Sequence, residues 1–198
     1  MANDLNAYLD RVRACRLCEG EMPEAPRPVL QASATARVLV VGQAPGNLAR
    51  NSGKPFSDPS GVRLREWMGV DEATFYDASR VAVVPMGFCF PGYDAKGGDL
   101  PPMKRCAVEW RAGLLERLPN VGVTLLVGGY AQKWHLKQRA RRSLTGTVLH
   151  WRDFAPEIFV TPHPSWRNNG WLKKHPWFED ELLPDLRAAV RSRLRSPS

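Results

Sequence analysis

Four short runs of apolar, largely β-branched residues constrain this chain most. They lie at residues 37–41, 81–84, 123–127 and 158–160. Each run is continuous instead of alternating with polar residues, which is typical of strands covered on both faces. Helical patterns separate the runs, and strands that alternate with helices favour a mostly parallel sheet. The sequence therefore predicts an α/β fold, a three-layer α/β/α sandwich around a four-stranded, mostly parallel central sheet.

The segments between the runs carry apolar residues at helical spacing. One predicted helix begins with Ser60 as its N-cap. A second, over residues 103–118, places Cys106 on an inward apolar face and Arg111 away from that face. The last helix spans residues 177–193, and Pro184 is a point at which it can kink.

Length and charge narrow the class of protein. A chain of 198 residues favours one domain, over residues 1–198. The formal net charge of +8 suits a polyanionic partner, nucleic acid first. The apolar runs are too short to span a bilayer, and the N-terminus lacks the apolar region of a secretory signal. We therefore expect a cytoplasmic protein, a monomer without a membrane partner.

The four cysteines form one close pair, Cys15-x-x-Cys18, and one loose pair, Cys89 and Cys106. A reducing cytosol disfavours disulfides, and four thiolates together suit a soft metal or an iron–sulfur cluster. A zinc ribbon usually has two close pairs, so the loose second pair favours a cluster over zinc. Buried inert thiols and a redox pair are the alternatives.

Unusual loops follow all four predicted strands, at residues 42–46, 85–92, 128–129 and 162–171. The carboxyl ends of parallel strands meet at one edge of a sheet, where ligands of such folds bind. The first loop, with the sequence Gly-Gln-Ala-Pro-Gly, lacks the Gly-Lys-Ser/Thr ending of a phosphate-binding loop. The pattern does not support nucleotide hydrolysis.

Four motifs in order along the chain carry a resemblance to a known family. They are the cysteine pairs, the Gly-Gln-Ala-Pro-Gly loop, Gly53-Lys54-Pro55-Phe56, and the late His163-Pro164-Ser165. Together they resemble the uracil-DNA glycosylase superfamily, and most closely its iron–sulfur branch, family four, from about residue 15 to 187. The resemblance implies a 4Fe-4S cluster on Cys15, Cys18, Cys89 and Cys106. It also implies cleavage of the bond between uracil and deoxyribose in DNA.

The resemblance implies roles for residues around the flipped base. Phe56 would stack on the uracil ring, and His163 would donate a hydrogen bond to the oxygen of the departing uracil anion. Further residues expected to bind the substrate are Gly42, Ala44, Pro45, Gly46, Gly87, Ser165, Asn168 and Asn169.

Two positions depart from the family pattern. Close relatives place a carboxylate where this chain has Gln43, and an amide cannot accept a proton at neutral pH. Gln43 would then position the water, with Asp58 as a candidate base or merely a solvated loop residue. The asparagine that usually precedes the third cysteine is also missing, so Asn168 or Asn169, backbone groups or pocket shape would read the base. These departures leave room for a hypoxanthine or xanthine preference, or for an inactive iron–sulfur protein that binds DNA or senses redox state.

Residues near His163 are candidates for contact with DNA. The expected phosphate-binding residues are Arg167, Lys173 and Lys174, and the aromatic candidates for a wedge in the duplex are Trp166 and Trp171. A second basic stretch, over residues 133–142, is either a further phosphate-binding face or an ordinary solvated surface.

Overall fold

The computed structural model describes residues 2–195 and confirms the predicted fold class. Its four strands are β1 (Val38–Val41), β2 (Val81–Val83), β3 (Val123–Val127) and β4 (Ile158–Thr161). They form one sheet in the order β2-β1-β3-β4, and every pair is parallel. Nearly all strand residues are buried, as expected for a sheet with a helical layer on each face.

Ten α-helices surround the sheet in the described part of the chain. They are α1 (Ala2–Arg13), α2 (Asn47–Ser52), α3 (Pro59–Met68), α4 (Glu72–Tyr76), α5 (Lys104–Cys106), α6 (Ala112–Glu116), α7 (Gly129–Leu136), α8 (Leu144–Leu149), α9 (Asn169–Lys174) and α10 (Leu183–Arg195). None of the helices in residues 2–195 is long and apolar enough to cross a membrane.

The strand order decides where a ligand can bind. The chain passes from β1 to β2 on one side and then returns to place β3 on the other side of β1. The loops after β1 and β3 therefore leave the sheet in opposite directions and open a crevice at its carboxyl edge. The loops after β1, β2 and β4 all reach this crevice, so the fold brings distant motifs together.

The helix α3 begins two residues earlier than the sequence predicted. Its N-cap is Asp58, not Ser60, because the Asp58 carboxylate accepts a hydrogen bond from the Gly61 amide at 3.1 Å. Pro59 then occupies the first helical position, where its missing N–H costs nothing. Ser60 instead donates its hydroxyl to the same Asp58 oxygen at 2.6 Å. Asp58, predicted as a candidate base or a solvated loop residue, is thus part of the helix start.

The prediction that Arg111 points away from the core was wrong. Residues Ala107–Arg111 form a π-helical turn between α5 and α6, and Arg111 is fully buried. A π turn holds an extra residue, which rotates the following side chains and brings Arg111 inward. Its guanidinium donates to the carbonyls of Val84 and Pro85 at 3.1 and 3.0 Å, and to the His135 ring at 2.7 Å. Arg111 therefore holds the chain segment that leaves β2.

The last helix is also interrupted as its proline suggested. A π-helical turn, Phe178–Leu182, comes directly before α10, and Pro184 is the second residue of α10. The widened turn accommodates a proline that has no N–H for the preceding helix turn. Phe178 is fully buried and packs edge-on against Trp67 of α3 with ring centroids 4.9 Å apart.

We predict that Gly61→Ala destabilises the fold by about 1–3 kcal/mol, the usual cost of inserting atoms into a packed site. A Cβ atom at Gly61 would lie 1.7 Å from the carbonyl oxygen of Phe56, so backbone would have to move. Chemical denaturation would measure the free energy of unfolding. Gly170→Ala in α9 is the matched control, because a Cβ atom there meets nothing within 4 Å. Equal stability of Gly61→Ala and the wild type would contradict this prediction.

Candidate active site

One pocket at the carboxyl edge of the sheet collects residues from three loops. The loop after β1 supplies most of its wall, the chain leaving β2 adds Pro85 and Asp99, and the loop after β4 adds His163. The residues that line it are Gly42, Ala44, Pro45, Gly46, Ala49, Pro55, Phe56, Asp58, Ser60, Val83, Pro85, Asp99 and His163. We refer to this cavity as the base pocket. It contains the predicted pair Phe56 and His163, which are 107 positions apart in the chain.

Phe56 is held in a backbone conformation that few residues with side chains adopt. Its φ angle is +54°, in the left-handed region. The Tyr76 hydroxyl donates to the Phe56 carbonyl at 3.1 Å, and Gly61 lets the same carbonyl approach α3 closely. The ring lies against Gly42, where a Cβ atom would be 3.1 Å from its Cζ atom. A strained residue fixed on several sides is typical of a functional site.

His163 faces Phe56 across the base pocket. The two ring centroids are 6.3 Å apart, and the ring planes differ by 28°. The Asn168 side-chain amide donates to the His163 carbonyl at 2.7 Å. Arg63 of α3 ties the same loop down, with hydrogen bonds to the Ser165 carbonyl at 3.2 Å and the Asn169 amide oxygen at 2.8 Å. The imidazole is therefore positioned by α3 and by its own loop.

The environment of His163 favours its neutral form. Burial lowers the pKa of the imidazole below its usual 6.5, and the nearby Asp58 carboxylate opposes this shift in part. A neutral imidazole can still donate one N–H, and which ring nitrogen carries the proton depends on the group that it faces. His163 is thus suited to donate a hydrogen bond at neutral pH without carrying a full positive charge.

The two sequence-predicted candidates for water activation lie at the site, but both already have protein partners. One oxygen of Asp58 accepts the two hydrogen bonds that start α3, from Ser60 and Gly61. The side-chain amide of Gln43 donates to the Leu100 carbonyl at 2.8 Å. Gln43 lines the open mouth beyond the base pocket, together with Asp58, Asp99 and His163.

Asp99 is the titratable residue of the base pocket that sequence reasoning missed. It lies on a glycine-rich loop after β2, close to Gly46, where a Cβ atom would be 3.8 Å from the Asp99 Oδ2 atom. Burial of its carboxyl group raises its pKa above the usual 3.8, although Arg167 opposes the shift. The sequence feature that could have identified Asp99 is the position of its loop after β2. Polar residues that follow a parallel strand lie at the carboxyl edge of the sheet, where His163 also lies.

The expected base-reading residues take other positions. Asn168 and Asn169 hold the His163 loop through the contacts given above, and neither lines the base pocket. Ser165 lies at the mouth. Gly87 donates its backbone N–H to the Gln43 carbonyl at 2.9 Å and lines a different pocket, that of the cysteines. In the described chain, the polar side chains that line the base pocket belong to Asp58, Ser60, Asp99 and His163.

The candidate DNA-binding residues divide into exposed and packed groups. Trp166 is 73% exposed at the mouth, with the Arg167 guanidinium 5.7 Å from its ring centroid. Arg167 also donates to the Gly97 carbonyl at 2.9 Å. Trp171 instead packs among aromatic rings and donates its indole N–H to Thr145 at 2.8 Å. The aromatic side chain that projects from the mouth is therefore Trp166, while the exposed Lys173 and Lys174 end α9.

A second pocket is lined by all four cysteines. Its other lining residues are Leu17, Met22, Pro26, Pro28, Gly87, Phe88 and Met103. The Trp110 indole N–H donates to the Cys15 sulfur at 3.3 Å, and the Phe88 amide donates to the Cys106 sulfur at 3.4 Å. Burial raises the pKa of Cys89 to about 11 and that of Cys106 to about 12, which disfavours a role as reactive thiolate nucleophiles.

The cysteine pocket is firmly attached to the rest of the fold. Arg105 donates to the Leu17 carbonyl at 2.9 Å and pairs with Glu21 at 2.8 Å, which joins the Cys15–Cys18 turn to α5. The Tyr8 hydroxyl of α1 donates to the Trp110 carbonyl at 3.1 Å. Within residues 2–195, no three His, Cys, Asp or Glu side chains converge closely enough to bind one metal ion.

Comparison with known families agrees with this geometry. Residues 30–187 match the uracil DNA glycosylase superfamily. The chain belongs to this superfamily. Members of the uracil DNA glycosylase superfamily are DNA glycosylases, hydrolases that act on DNA. The matched region includes the base pocket and the last two cysteines, whereas Cys15 and Cys18 precede it, so the match does not test the iron–sulfur branch.

We predict that His163 titrates with a pKa below 6.5 and that Asp58→Asn lowers this pKa further, because the variant removes the charge that supports the imidazolium. Asparagine is also a good N-cap, so α3 should remain intact. NMR titration of the His163 ring protons would measure both values. Since the unfolded chain takes up this proton first, His163 should also make the fold less stable as the pH falls below about 6.5. A His163 pKa above 6.5 would refute the prediction.

Proposed function

We propose that this protein is a monofunctional DNA glycosylase that flips a deaminated base, most simply uracil, out of DNA and hydrolyses its N-glycosidic bond. The product would be an abasic site. The observation that carries the proposal is the arrangement of Phe56 and His163, which face each other across one pocket at the carboxyl edge of the sheet.

The two rings suit the two demands of the reaction. A flipped base loses its stacking in the duplex, and an aromatic ring such as Phe56 recovers about 1–3 kcal/mol of it. As the glycosidic bond breaks, negative charge develops on the ring oxygens of the base. A hydrogen bond from the His163 imidazole to that oxygen would stabilise the leaving anion, and the fixed loop around His163 avoids reorganisation during the reaction.

The residues at the mouth of the pocket are candidates for contact with the DNA on either side of the flipped nucleotide. Trp166 would fill or wedge the space in the base stack, while Arg167, Lys173 and Lys174 would contact phosphates. Arg167 also holds the loop of Asp99, so its main-chain contact would couple DNA binding to the pocket wall.

We propose further that Cys15, Cys18, Cys89 and Cys106 hold a 4Fe-4S cluster. Four soft donors surround one largely apolar pocket, and at least two of the sulfurs accept N–H hydrogen bonds of the kind that cluster ligands receive. Around one zinc ion, each ligand sulfur lies about 2.3 Å from the metal. The ligand sulfurs of a 4Fe-4S cluster bind separate iron atoms and therefore lie farther apart from one another. Within residues 2–195 the four cysteines line one pocket, but no three of them converge on a single ion, which favours a cluster over zinc. The bound cluster would supply a structural link between the N-terminal segment and the loop after β2.

We expect His163→Ala to reduce the single-turnover rate of base release about 10²–10³-fold, the usual cost of removing a preorganised donor. Oligonucleotides that contain uracil, hypoxanthine or xanthine, followed by hot alkali, would measure release as strand breaks. His150→Ala is the matched control, because His150 is exposed and does not line the base pocket. Tight, salt-dependent DNA binding by the wild type without release of any base would favour a binding protein instead.

We expect Cys18→Ser to abolish the visible absorbance of the purified protein, with loss of bound iron and sulfide, and to lower its melting temperature. Loss of one ligand should release the cluster that holds the N-terminal segment. Metal and sulfide analysis of the wild type, purified without air, provides the comparison. Stoichiometric zinc without sulfide, or an unchanged melting temperature in the variant, would argue against the cluster.

A further inference from the structure

The mouth of the base pocket holds a carboxylate with the features of a general base. Hydrolysis needs a group that takes a proton from the attacking water, and the amide of Gln43 cannot do so at neutral pH. Within the described residues, the carboxylates that line both the base pocket and its mouth belong to Asp58 and Asp99. The question of which one acts rests on the proposed glycosylase function.

Gln43 and Asp99 both line the mouth, and a hydrogen bond fixes Gln43 to the chain next to Asp99. The Gln43 side-chain nitrogen donates to the carbonyl of Leu100, the residue that follows Asp99. The Gln43 amide oxygen takes no part in that contact and can accept a hydrogen from water. One water molecule has two hydrogens, so Gln43 and Asp99 together can hold both and leave a lone pair for the sugar.

The loop that carries Asp99 is held in place by hydrogen bonds within the loop. The Leu100 amide donates to the Gly92 carbonyl at 2.9 Å, and the Asp94 carboxylate accepts from the amides of Lys96 and Gly98 at 2.8 Å each. Arg167 adds a bond to the Gly97 carbonyl from the loop after β4. Asp99 is therefore placed by the fold and not by its own side-chain contacts.

The two carboxylates differ in their partners. Asp58 uses one oxygen for the start of α3 and lies near enough to His163 to affect its pKa. Asp99 does not cap a helix; its carboxylate lines the pocket and the mouth, and the Arg167 guanidinium is near enough to oppose the rise of its pKa. The raised pKa of Asp99 also makes its carboxylate a stronger base than an ordinary aspartate.

We propose that Asp99, not Asp58, is the general base of this glycosylase. Asp99 takes one proton from the water held by Gln43, and the water oxygen forms a bond to C1′ of the deoxyribose. The bond between C1′ and the base breaks, and its electron pair leaves with the base as an anion beside His163. The base then takes up a proton and Asp99 returns its own to solvent, so the sum is water plus nucleotide giving abasic site plus free base.

Asp99→Asn tests the assignment. We expect the single-turnover rate of base release to fall about 10²–10⁴-fold, the range for loss of a general base. Affinity for an oligonucleotide with a non-cleavable 2′-fluoro nucleotide should change less than threefold, because the chemical step is lost and not the binding. The melting temperature should stay the same or rise, because burial disfavours the ionised carboxylate that the variant removes.

Two further variants sharpen the comparison. Asp58→Asn should reduce the rate less than Asp99→Asn does. Asp153→Asn is the control and should leave the rate unchanged, because Asp153 lines neither the base pocket nor its mouth. A rate within threefold of the wild type for Asp99→Asn, or a parallel loss of DNA affinity, would overturn the assignment while leaving the glycosylase proposal intact. A wild-type chain that releases no deaminated base would overturn both.

Discussion

The left-handed backbone of Phe56 is the constraint on which the site depends. Conformations of this kind cost about 1–3 kcal/mol, so the surroundings must hold them. Here the Tyr76 hydroxyl donates a hydrogen bond to the Phe56 carbonyl, and Gly61, which has no side chain, leaves room for that carbonyl. Gly42 leaves room for the ring in the same way. Two residues later Asp58 starts α3. The backbone of Phe56, its ring that faces His163, and the start of α3 are therefore held by the same set of contacts.

Burial shifts the pKa values of the titratable groups of the site in different directions. It keeps His163 neutral, so the imidazole can donate to a developing anion, and it raises the pKa of the Asp99 carboxyl group. The buried guanidinium of Arg111 donates to the carbonyls of Val84 and Pro85. His135 can accept from Arg111 because burial and the guanidinium charge lower its pKa to about 3. Since Pro85 also lines the base pocket, a buried cation with neutral partners holds part of the pocket wall.

The chain after β2 joins the two pockets of the protein. Pro85 lines the base pocket, Phe88 and Cys89 line the cysteine pocket a few residues later, and Asp99 returns to the base pocket. The same segment therefore contributes to the walls of both pockets. A cluster held by the four cysteines, as we propose, would be joined to the base pocket through it.

From the sequence alone one could predict the strands, their mostly parallel arrangement and the edge where the motifs meet, because continuous β-branched runs and alternating helices leave few arrangements. Phe56 and His163 were predicted from motifs, and the structure places them in one pocket. Only the tertiary structure decided the burial of Arg111, because one π-helical turn rotated it inward. It also decided the place of Asp99, because a loop held by Gln43 and Arg167 carries that residue back to the pocket. Both depend on contacts between segments far apart in the chain, which no local pattern of residues records.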